Sequence, residues 1–259
     1  LNSDGDLYLG GRAFVFNNVL LPDTFCAVPT NGGFPLCDPG GNAFYADHVG
    51  FVGYWDWFLI KFNPNKRIEW AAILGGGREE SGALFMDDGV MDIAIDDSNR
   101  VYVYGNTLKS NFVDLDVLEY PGFYFQPTNQ GSFLTYDTYI ACFNDSNQLL
   151  WATPYGGAGQ AFPGDAGHGI IIDIPNQKIY VTGATNSSSF PLLCPNIHPD
   201  SYCDTIVSNY DVFISRFILD FSITPTYIKT LQQNTNLFIL YPNPTSGNLQ
   251  LTFDLKQNS

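Results

Sequence analysis

Asp56-Trp57-Phe58-Leu59-Ile60-Lys61-Phe62-Asn63 decides the fold of this chain, because it comes back. It returns as Asp137-Thr138-Tyr139-Ile140-Ala141-Cys142-Phe143-Asn144 and again as Asp211-Val212-Phe213-Ile214-Ser215-Arg216-Phe217. The first two copies start 81 residues apart, from 56 to 137, and the next two 74 apart, from 137 to 211. Self-similarity at a fixed period marks a repeat architecture, in which one unit cannot bury its apolar face alone.

Outward from that octapeptide the repeat extends in both directions. Ile68-Glu69-Trp70-Ala71, leading to Gly75-Gly76, matches Leu149-Leu150-Trp151-Ala152, leading to Gly156-Gly157. Residues 88–96 (DGVMDIAID) align without a gap with residues 165–173 (DAGHGIIID). Val101-Tyr102-Val103-Tyr104-Gly105 matches Ile179-Tyr180-Val181-Thr182-Gly183, and Leu7-Tyr8-Leu9-Gly10-Gly11 is a third copy. Every piece alternates β-branched or aromatic residues as a strand does. The joins are turn formers: Ser3-Asp4-Gly5-Asp6, Asn63-Pro64-Asn65-Lys66, Asp97-Ser98-Asn99-Arg100 and Asn144-Asp145-Ser146-Asn147. No stretch carries the i, i+3, i+4, i+7 pattern of a helix.

One unit is therefore predicted as four antiparallel strands, and such units in tandem are expected to stack radially as β-propeller blades. The fold class is all-β. Residues 1–220 form the blades: a partial blade over 1–55, units over 56–136 and 137–210, and a partial unit over 211–220. A closed ring takes at least about four blades, so a partial propeller is expected, closed by sequence beyond this chain or by another copy. Composition agrees, with 15 Tyr, 21 Phe, 25 Gly and 16 Pro, the profile of many short strands and turns.

Charge excludes several functions. Acidic residues number 26 against 11 basic, a net −15. Lys and Arg are too few and too scattered to displace counterions from nucleic acid or to hold an anionic membrane. No apolar run reaches the ~18 residues of a membrane-spanning helix. The first residues are no signal peptide.

The cysteines divide by position. Cys26 and Cys37 share one Pro/Gly-rich segment, Cys194 and Cys203 another, and Cys142 sits alone in an apolar run. Two local disulfides and one buried thiol is the simplest reading, and it favours an oxidising compartment. A four-thiolate metal site is the competitor, but it calls for C-x2-4-C spacing, whereas these pairs enclose ten and eight residues.

The units resemble the SBBP repeats of β-propeller proteins from bacterial surfaces and secretions. The resemblance rests on Asp211 to Phe217, Leu150 to Gly157, residues 165–173, Ile179 to Thr185 and Ser187-Ser188-Ser189-Phe190-Pro191. It covers roughly residues 1–220; residues 12–55 exceed the family's loop, and the last unit lacks the Trp and Gly-Gly run. A second resemblance lies in Leu240-Tyr241-Pro242-Asn243-Pro244-Thr245-Ser246-Gly247, followed by alternating Leu249, Leu251 and Phe253. It looks like the opening of the type A C-terminal sorting domain of the Bacteroidota type IX secretion system. Tyr241, Pro242, Asn243, Pro244 and Gly247 would be the sorting motif, residues 239–259 the first strand of that β-sandwich, and residues 221–238 the linker. The resemblance implies secretion, a position outside or on the outer membrane of a Gram-negative bacterium, the secretion machinery as a partner, and more protein beyond both ends.

No motif for catalysis stands out. His168 takes the position of Met91 in the other repeat, which reads as a demand for bulk; His48 and His198 have no second ligand at metal spacing. No nucleophile elbow, HExxH or phosphate-binding loop is present. Cys142 has Lys61 as its counterpart, so a nucleophile is not expected there. Recurrent aspartates read first as turn formers, with calcium as the alternative at Asp88, Asp165, Asp96 and Asp173. No cofactor is expected beyond that possible calcium.

Residues 12–55, 106–136 and 184–210 fall at one point of the repeat and should project from one face. Their aromatics, Phe44, Tyr45, Trp55, Tyr120, Phe123 and Tyr124, either form a binding face or pack on the neighbouring blade. The function expected is a non-catalytic surface module for adhesion or binding of a glycan, a protein or itself. The alternatives are a structural subunit of a surface appendage or secretion-associated complex, and, below both, a polysaccharide-active enzyme.

Overall fold

The computed structural model describes residues 1–14, 26, 34–45, 55–74, 89–107, 118–128, 130, 135–159, 163–191 and 210–221. Among these, ten strands account for nearly all regular structure: β1 (Leu7–Phe14), β2 (Trp55–Phe62), β3 (Ile68–Leu74), β4 (Gly89–Ile95), β5 (Val101–Thr107), β6 (Asp137–Phe143), β7 (Leu149–Tyr155), β8 (Ala166–Asp173), β9 (Lys178–Thr185) and β10 (Asp211–Ile218). The only helical element among the described residues is a 3-10 turn, Ile174–Asn176. All-β architecture is thus confirmed.

The strands form three antiparallel sheets in the orders β1-β2-β3, β4-β5-β6-β7 and β8-β9-β10. The middle sheet is four-stranded, as the repeat predicts, but its boundaries differ from the repeat units 56–136 and 137–210. It takes β4 and β5 from the first unit and β6 and β7 from the second, pairing Val101 with Phe143 and Thr107 with Asp137. The chain changes sheet between β3 and β4, after the Trp strand. A period fixes the length of a repeat and leaves the cutting point open.

Local chemistry explains each hairpin. Asn2, Asn63, Asp96 and Asn144 open equivalent turns, in which the side-chain Oδ1 accepts a backbone N–H four residues on: Asp6, Arg67, Arg100 and Gln148 at 2.7, 3.0, 2.9 and 2.8 Å. These are Asx turns, with the short side chain standing in for a backbone acceptor. Each ends on a residue at positive φ, which asparagine and glycine tolerate: Gly5 at 86°, Asn99 at 58° and Asn147 at 60°. Lys66, at φ 63°, occupies the same place.

The register shifts once at Met91 in β4 and once at His168 in β8, so both equivalents are the extra residue of a β-bulge. Met91 is 49% exposed and His168 is exposed as well. The position therefore does not select bulk. It is a bulge whose side chain leaves the sheet, which is why methionine and histidine interchange.

Sheet stacking follows from period-2 alternation. β4, the first strand of the middle sheet, lies against both β1 and β8, so the sheets approach most closely along these strands. One face of the middle sheet, with Val101, Val103, Tyr139, Ala141 and Phe143, packs on Tyr8, Trp57, Leu59 and Trp70 of the first. Its other face, with Tyr102, Tyr104, Ile140, Cys142 and Trp151, packs on Ile170, Val181, Phe213 and Phe217 of the third. A strand buried on both sides explains why β6 is buried at every position. Gly105 is required by this stacking: a Cβ there would lie 2.6 Å from the Trp57 indole. The three sheets are compatible with blades; a closed ring is not part of the described structure.

Candidate functional site

Three features were candidates for function: the aspartates, the loop aromatics and the sheet faces. Asp165 is fully buried just before β8. Its Oδ2 accepts from the Gly157 N–H at 2.6 Å and the Ser187 hydroxyl at 2.9 Å, and its Oδ1 from the Thr185 hydroxyl. Asp137, also fully buried, accepts from the Gln130 N–H at 2.8 Å and from Gln126 Nε2 at 3.2 Å. Gly156 runs between the two carboxylates, where a Cβ would sit 2.5 Å from Asp137 Cγ and 2.8 Å from Asp165 Oδ2. Burial pushes the Asp165 pKa up, although its three hydrogen-bond donors pull against that. The arrangement ties β8 and β9 to the chain leaving β7, so it is a structural clasp.

Asp96 serves its own turn. It accepts from the N–H groups of Ser98 and Arg100, pairs with Arg100 Nε at 2.6 Å and accepts from the Tyr102 hydroxyl at 3.1 Å. Asp173 accepts from Asn176 Nδ2 at 2.9 and 3.0 Å. Among the described residues no three His, Cys, Asp or Glu side chains gather as metal ligands. Asp88, His48, His198, Cys194, Cys203 and the sorting motif Tyr241, Pro242, Asn243, Pro244 and Gly247 lie outside the described residues.

The loop aromatics seal the stack. Trp70 donates its indole N–H to the Phe44 carbonyl at 2.6 Å, and Trp151 donates to the Tyr124 carbonyl at 2.9 Å. The repeat thus uses each Trp as an anchor for the loop arriving beside it. Cys37 and Leu118 add isolated bridges to Ala71 and Ala152, again at equivalent places. Tyr120 and Phe123 are each only 8% exposed, and Phe123 meets Trp151 edge-on at 5.3 Å. These two rings are core, the packing alternative of the two left open for them: a loop pinned by the Trp indole turns its aromatics inward. Phe44, Tyr45 and Tyr124 are half-buried, with Phe44 against Phe143 and Tyr124 against Phe217. Trp55 opens β2.

The outer faces of the end sheets differ. On the first sheet, Cys26 and Cys37 form the predicted disulfide. The segment they staple packs on Ile60 and Ala71, with Phe34 5.4 Å from Phe58. A shallow cavity of about 550 Å³ opens beside it, lined by Cys26, Phe62, Lys66, Arg67 and Ile68. On the third sheet, the register puts Val212 beside Ala184 and Ile214 beside Thr182. Val212 is 80% exposed, Ile214 74%, Ile171 67% and Ile218 60%. Nothing among the described residues covers this face. Sequence reasoning missed it, though the signal was present: Val212 and Ile214 align with Trp57 and Leu59, which are buried in the first sheet.

Cys142 is fully buried between the middle and third sheets, and burial raises its thiol pKa well above the ordinary value. A thiolate nucleophile is not available there. No helix among the described residues is long and apolar enough to cross a membrane. Compared with known proteins, the chain matches no family model and no curated protein.

Proposed function

We propose that this chain is a secreted, surface-associated, non-catalytic β-blade module that works by binding a protein through a sheet face. The observation that carries this reading is the apolar face of β8–β10 that no described residue covers, since contiguous exposed apolar surface on a folded domain marks a contact site. The extracellular setting is supported by the Cys26–Cys37 disulfide and by the Tyr-Pro-Asn-Pro motif at 241–244. The type IX route and the SBBP-type propeller belong to the same proposal and rest on sequence resemblance. Absence of catalysis is supported by the engagement of Asp165 and Asp96 in hydrogen bonds within the fold.

The test is a binding panel of extracellular proteins and polysaccharides, run with the native chain and with Ile214→Asp. Protein binding lost in the variant is the expected result. Binding confined to polysaccharide, with full strength in the variant, would overturn the reading.

A further inference from the structure

We infer that Asp137 and Asp165 form a carboxyl pair that holds one proton between them, so that the seam between the middle and third sheets is tightened by acid and loosened when that proton leaves. The inference is independent of the protein-binding reading above.

Geometry supplies the first argument. Both carboxylates are fully buried, and a Cβ built on Gly156 would lie 2.6 Å from Asp137 Oδ1 and 2.8 Å from Asp165 Oδ2. The two oxygens thus approach each other across a gap that one methyl group would overfill. Two negative charges so close and out of water repel, and such a pair keeps a proton where an isolated aspartate has none. Glycine at 156 is what permits the approach. The residues of the pair are also written twice in the sequence, since Asp56, Gly75 and Asp88 stand at the repeat positions of Asp137, Gly156 and Asp165.

Placement in the fold gives the proton a structural consequence. Asp137 opens β6 of the middle sheet, and Asp165 stands directly before β8 of the third. Beside them the two segments are bonded to each other: the Tyr136 N–H donates to the Pro163 carbonyl at 2.6 Å, and the Asp165 N–H donates to the Tyr136 carbonyl at 2.7 Å. The pair therefore sits on the seam where the third sheet joins the middle one. Charge on both members pushes the seam apart, and a proton on one removes the repulsion.

The described surroundings do not offset that repulsion. Tyr104 from β5 and Tyr155 from β7 feel Asp165, and Tyr124 from the loop before β6 feels Asp137. Burial raises the pKa of all three phenols, so they are uncharged where aspartates titrate. The register sets Asp211 of β10 opposite Thr185, whose hydroxyl donates to Asp165, so β10 brings a further carboxylate. His168 is exposed at its bulge, and Lys178 lies at the far end of the β8–β9 hairpin, opposite Asp173.

Amide hydrogen exchange on the whole chain, with rates corrected for the intrinsic pH dependence of exchange, is the experiment. Protection of the Tyr136 and Asp165 amides should fall by up to about tenfold per pH unit as pH rises above the ordinary aspartate range near pH ~4. Protection of the Ala71 amide, in the first sheet, should hold steady. Asp137→Asn separates a pair from burial of Asp165 alone. It removes the neighbouring charge, so the fall should end at a lower pH, and the infrared band of the protonated carboxyl should vanish at that lower pH as well. A fall that ends at the same pH in Asp137→Asn overturns the inference. Protection that is flat with pH in the native chain, or a loss shared equally by the Ala71 amide, overturns it too. So does abolition of the pH dependence by millimolar calcium, which would make the pair a cation site. If Asp137→Asn unfolds the chain, Asp137→Ser repeats the comparison with the same two outcomes.

Discussion

Ile60 on the outward face of the first sheet is 6% exposed, whereas Ile214 on the outward face of the third is 74% exposed. Both lie on the strand that carries the Asp-x-aromatic repeat, and the two sheets flank the middle one on opposite sides. The difference is a segment of chain. Between β1 and β2 the protein carries a long excursion, stapled by Cys26–Cys37, that lays Phe34 and Cys37 on the first sheet. Such a segment does at one end what a neighbouring blade does inside the stack. The lesson is that an end sheet has no intrinsic solution for its outer face: it needs either a cap or a partner.

The sharpest way to break this comparison is to truncate matched positions. Trp57→Ala empties a fully buried site against Gly105 and should cost about 3–5 kcal/mol in urea unfolding. Val212→Ala, its counterpart on the bare face, should cost no more than about 0.5 kcal/mol in dilute protein. Equal losses would show that the third sheet's outer face is already packed, and would remove the asymmetry.

Loss of the cap comes next in size. Cys26→Ser with Cys37→Ser should lower stability by roughly 2–4 kcal/mol and raise binding of a hydrophobic dye, because Ile60 and Ala71 would be uncovered. Unchanged dye fluorescence would mean that the segment holds its place without the bond, and that packing alone does the capping.

A smaller effect concerns pH and the clasp between the middle and third sheets. The Asp165 pKa is raised in the folded state, so folding favours the protonated form. This contribution is complete below the ordinary aspartate range near pH ~4 and is lost as pH rises through the elevated folded value. Native stability should therefore fall over that window, and Asp165→Asn should flatten the slope while lowering the plateau, since Gly157, Thr185 and Ser187 lose part of their acceptor. A midpoint that rises with pH across the window would contradict the assignment.

The least effect is expected at Cys142. Its buried, pKa-raised thiol should resist iodoacetamide at pH 8 in the folded protein and react once urea opens the stack. Rapid labelling of native protein would place a gap between the middle and third sheets.

Much of this was legible in the residues. Asn63, Asp96 and Asn144 announce their turns because an Asx turn is local: the side chain bonds its own backbone within four residues. Trp70 and Trp151 announced equivalence, and the structure gives the reason, an indole N–H held by a loop carbonyl in both sheets. Burial of Tyr120 and Phe123 was not legible. Aromatics in a Pro- and Gly-rich loop look the same whether they face solvent or a neighbouring Trp, and only the path of the loop separates the two. Met91 and His168 misled for a similar reason, since a one-residue bulge reverses the face a side chain takes.

By itself the sequence determined the strands, their turns, the hairpins those turns close and one cysteine bridge. These depend on neighbours a few residues away or on a pattern that recurs. Only the tertiary structure decided that a sheet is built from β4 to β7, across two repeat units, and that the disulfide-stapled segment lies over Ile60 and Ala71 at one end of the stack while no described residue lies over Val212 and Ile214 at the other. Alternation marks two faces on every strand, but the surface that covers a face comes from a distant part of the chain. A repeated sequence cannot say which copy lacks its neighbour.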